Sequence, residues 1–243
     1  MNFYACIIAT EILNGRRIDK HFEFLKNALA KYGHELTASF IIKDNEELIK
    51  NIYTLIKNDK KSVMFSFGGI GSTPDDLTRA IAAEVFTSKP LQRHKKFEQD
   101  IVDRFGDEAY PHRIYMSDLP VDSSLLFNPV NNMSGFSLKN RYFFVPGFPQ
   151  MAHPMISAAI EEFFSEPDEK YRLTLLAQTS ENTLVSVMKE IPSDIELSSL
   201  PILGEDKVSV EISLCASDKS HVQNNFNLFT KYLNELKIPY SLI

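Results

Sequence analysis

Apolar runs of strand length alternate with helix-like periodicity along the first two-thirds of the chain. The apolar runs lie at 3–10, 35–42 and 62–67. After each run, in the C-terminal direction, apolar residues recur at spacings of three and four, which is the pattern of an amphipathic helix. These helix patterns lie at 19–32, 48–56 and 74–86. Strand and helix in this alternation predict βαβ units, a parallel sheet and right-handed crossovers.

The pattern changes in the remainder of the chain. Strand candidates at 125–127, 134–138 and 141–145 precede a helix at 150–164 and a polar, proline-containing segment at 166–169. The later elements are a strand at 171–179, a helix at 181–191, strands at 195–200 and 207–216, a helix at 221–236 and a strand at 240–243. This β-α-β-β-α-β order is that of the ferredoxin-like fold. We therefore predict an α/β domain with a mostly parallel sheet at 1–167 and a small ferredoxin-like α+β domain at 168–243.

Composition and charge narrow the range of functions. Apolar residues make up 44% of the 243 residues and charged residues 24%, which is typical of a soluble globular protein. The net charge is −6 and basic residues are not concentrated in any stretch, so nucleic-acid binding is not expected. No apolar run is long enough to cross a membrane, and the N-terminus lacks a signal-peptide pattern. We expect a cytoplasmic protein in which Cys6 and Cys215 are buried thiols.

Polar residues and glycines follow several of the predicted strands. Glu11 follows the first strand, Asp44 the second and a glycine-rich turn at 68–73 the third, while the sequence PGFP at 146–149 follows a later strand. In an open parallel sheet, ligands bind outside the carboxyl ends of the strands. We therefore expect all four segments to meet at one edge of the sheet and to form the ligand site.

The glycine turn, GGIGST at 68–73, leads into the third predicted helix. Glycine lets backbone N–H groups approach an anion closely, and a helix N-terminus adds partial positive charge, so phosphate is the expected ligand. The turn matches neither a Walker A loop nor the G-x-G-x-x-G dinucleotide motif. The alternative is structural, with Thr73 capping the helix, Pro74 at its first position and Asp76 completing the cap. Spacing alone leaves both interpretations open.

Asp75 and Asp76 bear on the choice of ligand. Carboxylates are favourable at a helix start, but beside a bound phosphate they repel it unless a cation lies between them. A phosphorylated ligand would therefore bring Mg²⁺ or a similar hard ion, held by one carboxylate and by phosphate oxygens. Asp44 and Glu11 are further candidates for metal binding or for positioning a water. Each also has a structural interpretation, Asp44 as a helix N-cap and Glu11 as a charged loop residue.

Other residue combinations are less informative. Arg16 and Arg17 could anchor a phosphate or an acidic partner, although adjacent basic residues in a loop more often form a solvated surface. The six histidines lack H-x-H and H-E-x-x-H spacing, which disfavours a zinc site. The Gly-x-Ser-x-Gly motif of serine hydrolases is absent.

Six of these stretches form an ordered set. They are ATEILNGR at 9–16 with Asp19, then Asp44, GGIGSTPDDLT at 68–78, Asn128-Pro129, Gly135-Phe136 and PGFP at 146–149. Together they resemble the molybdopterin-binding (molybdenum-cofactor-biosynthesis) domain, in the version found in the N-terminal region of competence/damage-inducible protein A (CinA). The resemblance spans residues 1–165, and the tail from 170 resembles the small domain that follows in CinA-like proteins. His21 departs from the family pattern, in which asparagine is usual.

The resemblance implies a three-layer α/β fold in which the glycine turn cradles a phosphorylated pterin or an adenine nucleotide. Family members either adenylylate molybdopterin or hydrolyse the pyrophosphate of ADP-ribose-like compounds with a divalent metal. Asp76 matches the family's functional loop carboxylate, and Asp44 its second acidic position. The resemblance also implies a homo-oligomer, either a dimer or a trimer.

These arguments define a set of candidate site residues. The catalytic candidates are Asp76, Asp44 and Glu11, of which Asp76 and Asp44 are the metal candidates. The phosphate-binding candidates are Gly68, Gly69, Gly71, Ser72, Thr73, Thr78, Pro146 and Gly147.

Three functional hypotheses remain open from the sequence. The leading one is a site for molybdopterin or an adenine nucleotide, with pyrophosphate chemistry assisted by Mg²⁺ or another divalent metal. The second is a non-catalytic module that carries or senses a pterin or nucleotide. The third is a mainly structural protein in which the tail domain mediates assembly.

Overall fold

The computed structural model of the chain describes residues 1–167, 169–203 and 208–243. Two units, Met1–Pro167 and Asp168–Ile243, each have their own hydrophobic core. Asp168, in the predicted boundary segment, and Lys207, at the predicted start of a strand, lie outside the described residues. None of the helices in the described ranges is long and apolar enough to span a bilayer.

The strands of the first unit form a six-stranded mixed sheet and a separate two-stranded sheet. They are β1 (Asn2–Ile8), β2 (Leu36–Ile42), β3 (Ser62–Phe67), β4 (Gln92–Arg93), β5 (Asp118–Leu119), β6 (Ser124–Leu126), β7 (Gly135–Leu138) and β8 (Tyr142–Val145). Six of them form one sheet in the order β2-β1-β3-β8-β7-β6, and β4 pairs with β5. Strands β2, β1, β3 and β8 are parallel neighbours, whereas β7 and β6 join antiparallel. The predicted α/β fold with a mostly parallel sheet is confirmed.

Helices cover both faces of this sheet. They are α1 (Thr10–Leu13), α2 (His21–Ala30), α3 (Glu46–Asn58), α4 (Thr78–Ala82), α5 (Lys95–Phe105) and α6 (Pro149–Phe163). Alternate side chains of a strand point to opposite faces, so β1 contributes to two cores. Phe3 and Ile7 share a core with α2 and α6, whereas Tyr4 and Ile8 share one with α3, α4 and α5. The first unit therefore has three layers.

The central strand β3 is buried along its whole length. A strand covered on both faces reads as a continuous apolar run, and SVMFSF follows that rule except for its two serines. Ser66 Oγ lies 2.7 Å from Tyr53 Oη, and Ser62 Oγ accepts from Arg141 Nη2 at 3.0 Å. Because both hydroxyls are paired, their burial carries little penalty.

The third predicted helix begins later than expected. A helix starting at Pro74 would require the Thr78 N–H for the Pro74 carbonyl. That N–H instead donates to the Gly69 carbonyl, 3.0 Å away, and the α-helix begins at Thr78. It passes into a π-helix at Ala83–Thr87. The prediction that the glycine turn feeds directly into a helix N-terminus is therefore wrong, and the helix-dipole argument for phosphate is lost with it.

Two other regions differ from the sequence prediction. The first strand ends at Ile8, and α1 follows at once, so Glu11 lies in a helical turn and not in a loop. No element is predicted between residues 87 and 124, yet β4, α5, two 3₁₀ turns and β5 lie there. α5 has only Phe97 and Ile101 as buried apolar residues, which is too sparse a pattern to indicate a helix.

The second unit is a four-stranded sheet with two helices among its described residues. Its elements are β9 (Tyr171–Ala177), α7 (Glu181–Met188), β10 (Glu196–Leu203), β11 (Val208–Ala216), α8 (Lys219–Glu235) and β12 (Tyr240–Leu242). The sheet order is β10-β11-β9-β12, and every neighbouring pair is antiparallel. Val222, Phe226, Phe229 and Leu233 of α8 are buried at the predicted spacing, whereas Leu236 is exposed. The element order matches the prediction, and the ferredoxin-like class stays a prediction.

Substitution of Gly68 tests how closely β3 approaches β1 at the sheet edge. Gly68 has φ +100°, and a Cβ there would collide with the Ile8 carbonyl oxygen. Gly68→Ala is expected to lower the free energy of unfolding by about 2–4 kcal/mol, since backbone strain and a clash with rigid backbone add. Gly15 has φ +77° with no atom near its Cβ position, so Gly15→Ala should cost only about 1 kcal/mol. Urea unfolding measures both, and equal losses would contradict a role for the Ile8 contact.

Candidate functional site

The carboxyl ends of β2, β1, β3 and β8 lie side by side. Backbone hydrogen bonds join the segments that leave these strands. The Ala9 N–H donates to the Ile42 carbonyl and the Gly68 N–H donates to the Val145 carbonyl, both at 2.9 Å. The four segments picked out by the sequence therefore leave neighbouring strands at one edge of the sheet, as expected.

Thr78 fixes the shape of the glycine turn. Its N–H donates to the Gly69 carbonyl and its Oγ1 donates to the Gly68 carbonyl, each at 3.0 Å. Gly69 has no space for a side chain, because a Cβ would collide with Thr78 Oγ1. Thr78 is buried, and both of its donors are used within the turn. Its contribution to the site is therefore structural support for the turn.

The Asp76 carboxylate is hydrogen-bonded to Thr73, at the end of the glycine turn. Its Oδ2 accepts from the Thr73 N–H at 2.9 Å and from Thr73 Oγ1 at 2.6 Å. A Cβ on Gly71 would lie 2.5 Å from the same oxygen, so a side chain there would displace the carboxylate from its present position. Asp76 is thus held beside the turn by two hydrogen bonds through one oxygen. Its Oδ1 has no hydrogen-bond partner within the described residues.

The amides of the turn divide into paired and unpaired donors. Those of Gly68 and Thr73 are paired, with Val145 and Asp76 respectively. The four consecutive N–H groups at 69–72 have no partner in the part of the chain that the structure describes. Consecutive unpaired N–H groups are the feature that binds anions in phosphate loops. The donors available to a ligand are therefore those at 69–72.

Asp44 links the ends of β2 and β1. Its Oδ2 accepts from the Thr10 N–H at 3.0 Å and from Thr10 Oγ1 at 2.7 Å, while its own N–H donates to Thr10 Oγ1 at 3.2 Å. The alternative reading of Asp44 as a helix cap is wrong, because Asn45 caps α3 by accepting from the Leu48 N–H at 3.0 Å. The Asp44 carboxylate therefore lies at the sheet edge, on the opposite side of β1 from the glycine turn.

A cavity of about 610 Å³ opens beside this edge, between α1, the start of α2 and the loop that precedes α6. Its floor includes Ile7 and Phe67, from the ends of β1 and β3. Its charged lining residues are Glu11, Arg16, Arg17 and Lys20, and Gly147 and His21 also line it. The cavity therefore combines an apolar floor with a positively charged wall.

Two histidines lie next to this cavity. His21 Nε2 donates to the Gly147 carbonyl at 3.2 Å, which leaves the buried Nδ1 without a partner among the described residues. The His21 ring stacks on Phe67 at 4.4 Å between ring centres and meets the His153 ring edge-on at 5.3 Å. Burial lowers the pKa of both, that of His153 to about 4, with His21 adding to the effect on His153. Both rings are therefore neutral at pH 7.

The described residues contain no group of three or more His, Cys, Asp or Glu side chains arranged to hold a metal ion. Asp44 and Asp76 follow β2 and β3, which lie on either side of β1, so their strands are about 9–10 Å apart. A preformed metal site built by the protein alone is therefore absent from these residues. One carboxylate completed by ligand phosphates, the usual arrangement for Mg²⁺, is compatible with this geometry.

The family model described as "Probable molybdopterin binding domain" matches residues 5–166. The chain belongs to the molybdopterin-binding domain family. The match covers nearly the whole first unit, including the glycine turn and the loop at 146–149. Membership is thus shown for the unit that carries the candidate site.

Relatives of this molybdopterin-binding domain include CinA-like proteins. One from Nostoc punctiforme is 23% identical over 94% of this chain and 58% of its own length. Another, from Acaryochloris marina, is 30% identical over 61% of this chain and 36% of its own length. The chain therefore spans between about a third and three-fifths of these relatives. The crystal structure of the protein CinA from Thermoplasma acidophilum, described as of unknown function, is similar to this chain with a TM-score of 0.61 and 23% sequence identity. The similarity covers 67% of this chain and 98% of the Thermoplasma chain.

Sequence reasoning missed part of this molybdopterin-binding domain's site. The sequence favours a solvated surface for Arg16 and Arg17, and only the fold shows that they line a cavity with Lys20. No spacing motif indicates the histidine pair, because His21 and His153 lie on helices α2 and α6, far apart in the chain. The departure from asparagine at His21 was the one available indication.

Acidification is expected to destabilise the first unit between about pH 6.5 and pH 4. The pKa of His153 is about 4 in the folded chain and about 6.5 when unfolded, so the unfolded chain binds the proton first as the pH falls. The stability contributed by neutral His153 is therefore complete above about pH 6.5 and lost towards pH 4. His153→Phe retains a ring against Phe24, on which His153 stacks at 3.8 Å, and cannot titrate. Its melting temperature should fall less on acidification.

Scanning calorimetry at several pH values measures this effect. His112→Phe is the matched control, since His112 is exposed. An identical loss of melting temperature in wild type and His153→Phe would contradict the assignment.

Proposed function

We propose that this chain binds a phosphorylated pterin or an adenine nucleotide at the sheet edge and acts on a pyrophosphate bond with the help of a divalent metal. The observation that carries the proposal is the run of four unpaired N–H groups at 69–72 beside the Asp76 carboxylate. Donors for phosphate next to a carboxylate for a cation are the two elements that such chemistry requires. Membership of the molybdopterin-binding domain family supports the choice of ligand.

Each group at the edge has a role in this proposal. The N–H groups at 69–72 hold a phosphate, and the Gly147 N–H, which has no partner among the described residues, is a further donor. Asp76, together with Asp44, holds the cation. Glu11 lines the adjoining cavity and orients the attacking water. When bound, a divalent cation polarises the phosphoryl group and neutralises developing charge.

Asp76 is better placed than Asp44 to bind the cation directly. It lies against the glycine turn itself, and its Oδ1 is not used by Thr73. Asp44 is separated from the turn by the width of β1, and its Oδ2 is engaged by Thr10. We therefore propose that Asp76 would contact the cation directly, and that Asp44 would add its negative charge at the same edge of the sheet.

A non-catalytic binding module is the second candidate. It is favoured by the lack, among the described residues, of a three-ligand metal group, and by the pairing of both Asp44 and Asp76 with threonines. Under this alternative the two carboxylates shape the loops, and the unpaired amides at 69–72 bind the ligand without turnover.

Assembly and the tail domain belong to the proposal as well. We propose a homo-oligomer, on the resemblance of the first unit to a family whose members self-associate, and a ferredoxin-like class for the second unit on its strand order. Sedimentation at micromolar concentration tests the first point, and a monomer would contradict it.

Asp76→Asn tests the catalytic proposal. The amide oxygen of asparagine can still accept from the Thr73 N–H, so the turn should keep its shape, whereas the charge that holds the cation is lost. Release of AMP from ADP-ribose in the presence of Mg²⁺ is expected to fall by about 10²–10³-fold. ADP-ribose is the probe because cleavage of its pyrophosphate bond releases AMP, which can be measured directly.

Asp107→Asn provides the matched control, since Asp107 is an exposed aspartate in a 3₁₀ turn away from the site. It should retain the wild-type rate. Unchanged AMP release by Asp76→Asn would remove Asp76 from the mechanism. Binding of ADP-ribose or ATP by the wild type without turnover under Mg²⁺, Mn²⁺ or Co²⁺ would favour the non-catalytic module.

A further inference from the structure

Three cations face the cavity without a carboxylate partner. Arg16, Arg17 and Lys20 all line it, and none forms an ion pair with another described residue. Glu11 is the one carboxylate among the lining residues, so the lining carries an excess of positive charge. Asp19 lies nearby, where its carboxylate accepts from the His21 and Phe22 N–H groups at the start of α2. In a chain of net charge −6, the positive lining is a local reversal of sign inside a concave site.

Local contacts orient the two arginines. The Nε and the backbone N–H of Arg16 both donate to Asn14 Oδ1, at 3.1 and 3.2 Å, which leaves its two Nη groups without partners among the described residues. The guanidinium of Arg17 lies 5.9 Å from the centre of the Phe148 ring, and its backbone N–H donates to the Glu11 carbonyl at 3.0 Å. Both donor-bearing ends therefore remain available to a ligand.

The cavity and the glycine turn adjoin each other but lie towards different faces of the sheet. Ile7 and Phe67, in the cavity floor, belong to the core shared with α2 and α6. Ile70, which carries one of the unpaired amides, and Leu77, which follows the turn, pack against the core shared with α3 and α4. The cations at 16–20 and the amides at 69–72 are therefore separate groups of donors.

We propose that the cavity binds a phosphoryl dianion of a small molecule, through Arg16, Arg17 and Lys20 and without a metal ion. Three cations against one lining carboxylate suit a phosphate group, which carries up to two negative charges, better than a carboxylate, which carries one. Guanidinium groups bind phosphate oxygens in pairs, which suits the free Nη groups of Arg16. A volume of about 610 Å³ is that of a small-molecule site. A concave site with three cations favours this ligand over a nucleic acid or a membrane surface.

The inference extends the proposed function by naming a second phosphoryl contact at the same edge. A ligand with two phosphoryl groups is the class that fits, one group on the amides at 69–72 and the other in the cavity. The cavity contact itself requires neither turnover nor a metal, so the two proposals fail in different experiments.

Isothermal titration calorimetry with inorganic pyrophosphate tests the cavity contact. The full chain is titrated at low salt with EDTA present, so no divalent cation contributes. The double variant Arg16→Gln/Arg17→Gln is expected to bind pyrophosphate at least about tenfold more weakly than wild type, since it removes both guanidinium groups. Both arginines are exposed, so the fold should persist, and an unchanged melting temperature verifies this.

Lys26→Gln/Lys31→Gln is the matched control. It removes the same total charge from exposed positions on and after α2 that do not line the cavity. Its affinity for pyrophosphate should stay within about twofold of wild type. An equal loss in both double variants would reduce the effect to net charge and overturn the proposal, as would unchanged affinity in the arginine variant or no binding by wild type.

Tricarballylate, a tricarboxylate that like pyrophosphate carries close to three negative charges near pH 7, tests the choice of phosphoryl group. It should bind more weakly than pyrophosphate to the wild type, and equal affinity would overturn the phosphoryl assignment. Retained pyrophosphate binding in EDTA, alongside absent AMP release from ADP-ribose with Mg²⁺, would sustain this inference and contradict the catalytic proposal.

Discussion

The candidate site depends on the close approach of three strands at Gly68. Its N–H donates to the Val145 carbonyl, and its Cα faces the Ile8 carbonyl so closely that no side chain fits. The Cβ position of Gly147 lies 3.5 Å from the Gly68 Cα. The segments that leave β1, β3 and β8 are thus packed backbone against backbone. Side chains from distant parts of the chain share one edge for this reason.

Hydrogen bonds fix the positions of the two acidic side chains that follow β2 and β3 at this edge. Asp44 and Asp76 are each held through one carboxylate oxygen by the N–H and hydroxyl of a threonine. Each carboxylate and its threonine form a self-contained pair, which keeps Asp76 beside the unpaired amides and Asp44 at the ends of β1 and β2. The arginines at 16 and 17 have no such acidic partner among the described residues. An anionic ligand would neutralise the positive charge of these two arginines.

Much of the fold was predictable because its signals are local. The buried run of β3 and the amphipathic face of α3 depend on neighbours a few residues away, and both were predicted from the pattern alone. The start of α4 was not, because the Thr78 N–H bonds to Gly69, outside the helix register. The helix α5 was not predicted either, because few of its residues are buried and its sequence is mostly polar.

For the site, the sequence by itself determined which residue types are available and that their segments follow parallel strands. Glu11, Asp44, the glycine turn and the loop at 146–149 were all placed at the sheet edge by that argument. Only the tertiary structure decided which of their polar groups are already paired, because partners such as Thr10 and Asp44 lie 34 positions apart. It also decided that Arg16 and Arg17 line a cavity, since a concave surface exists only once α1, α2 and α6 are packed on the sheet.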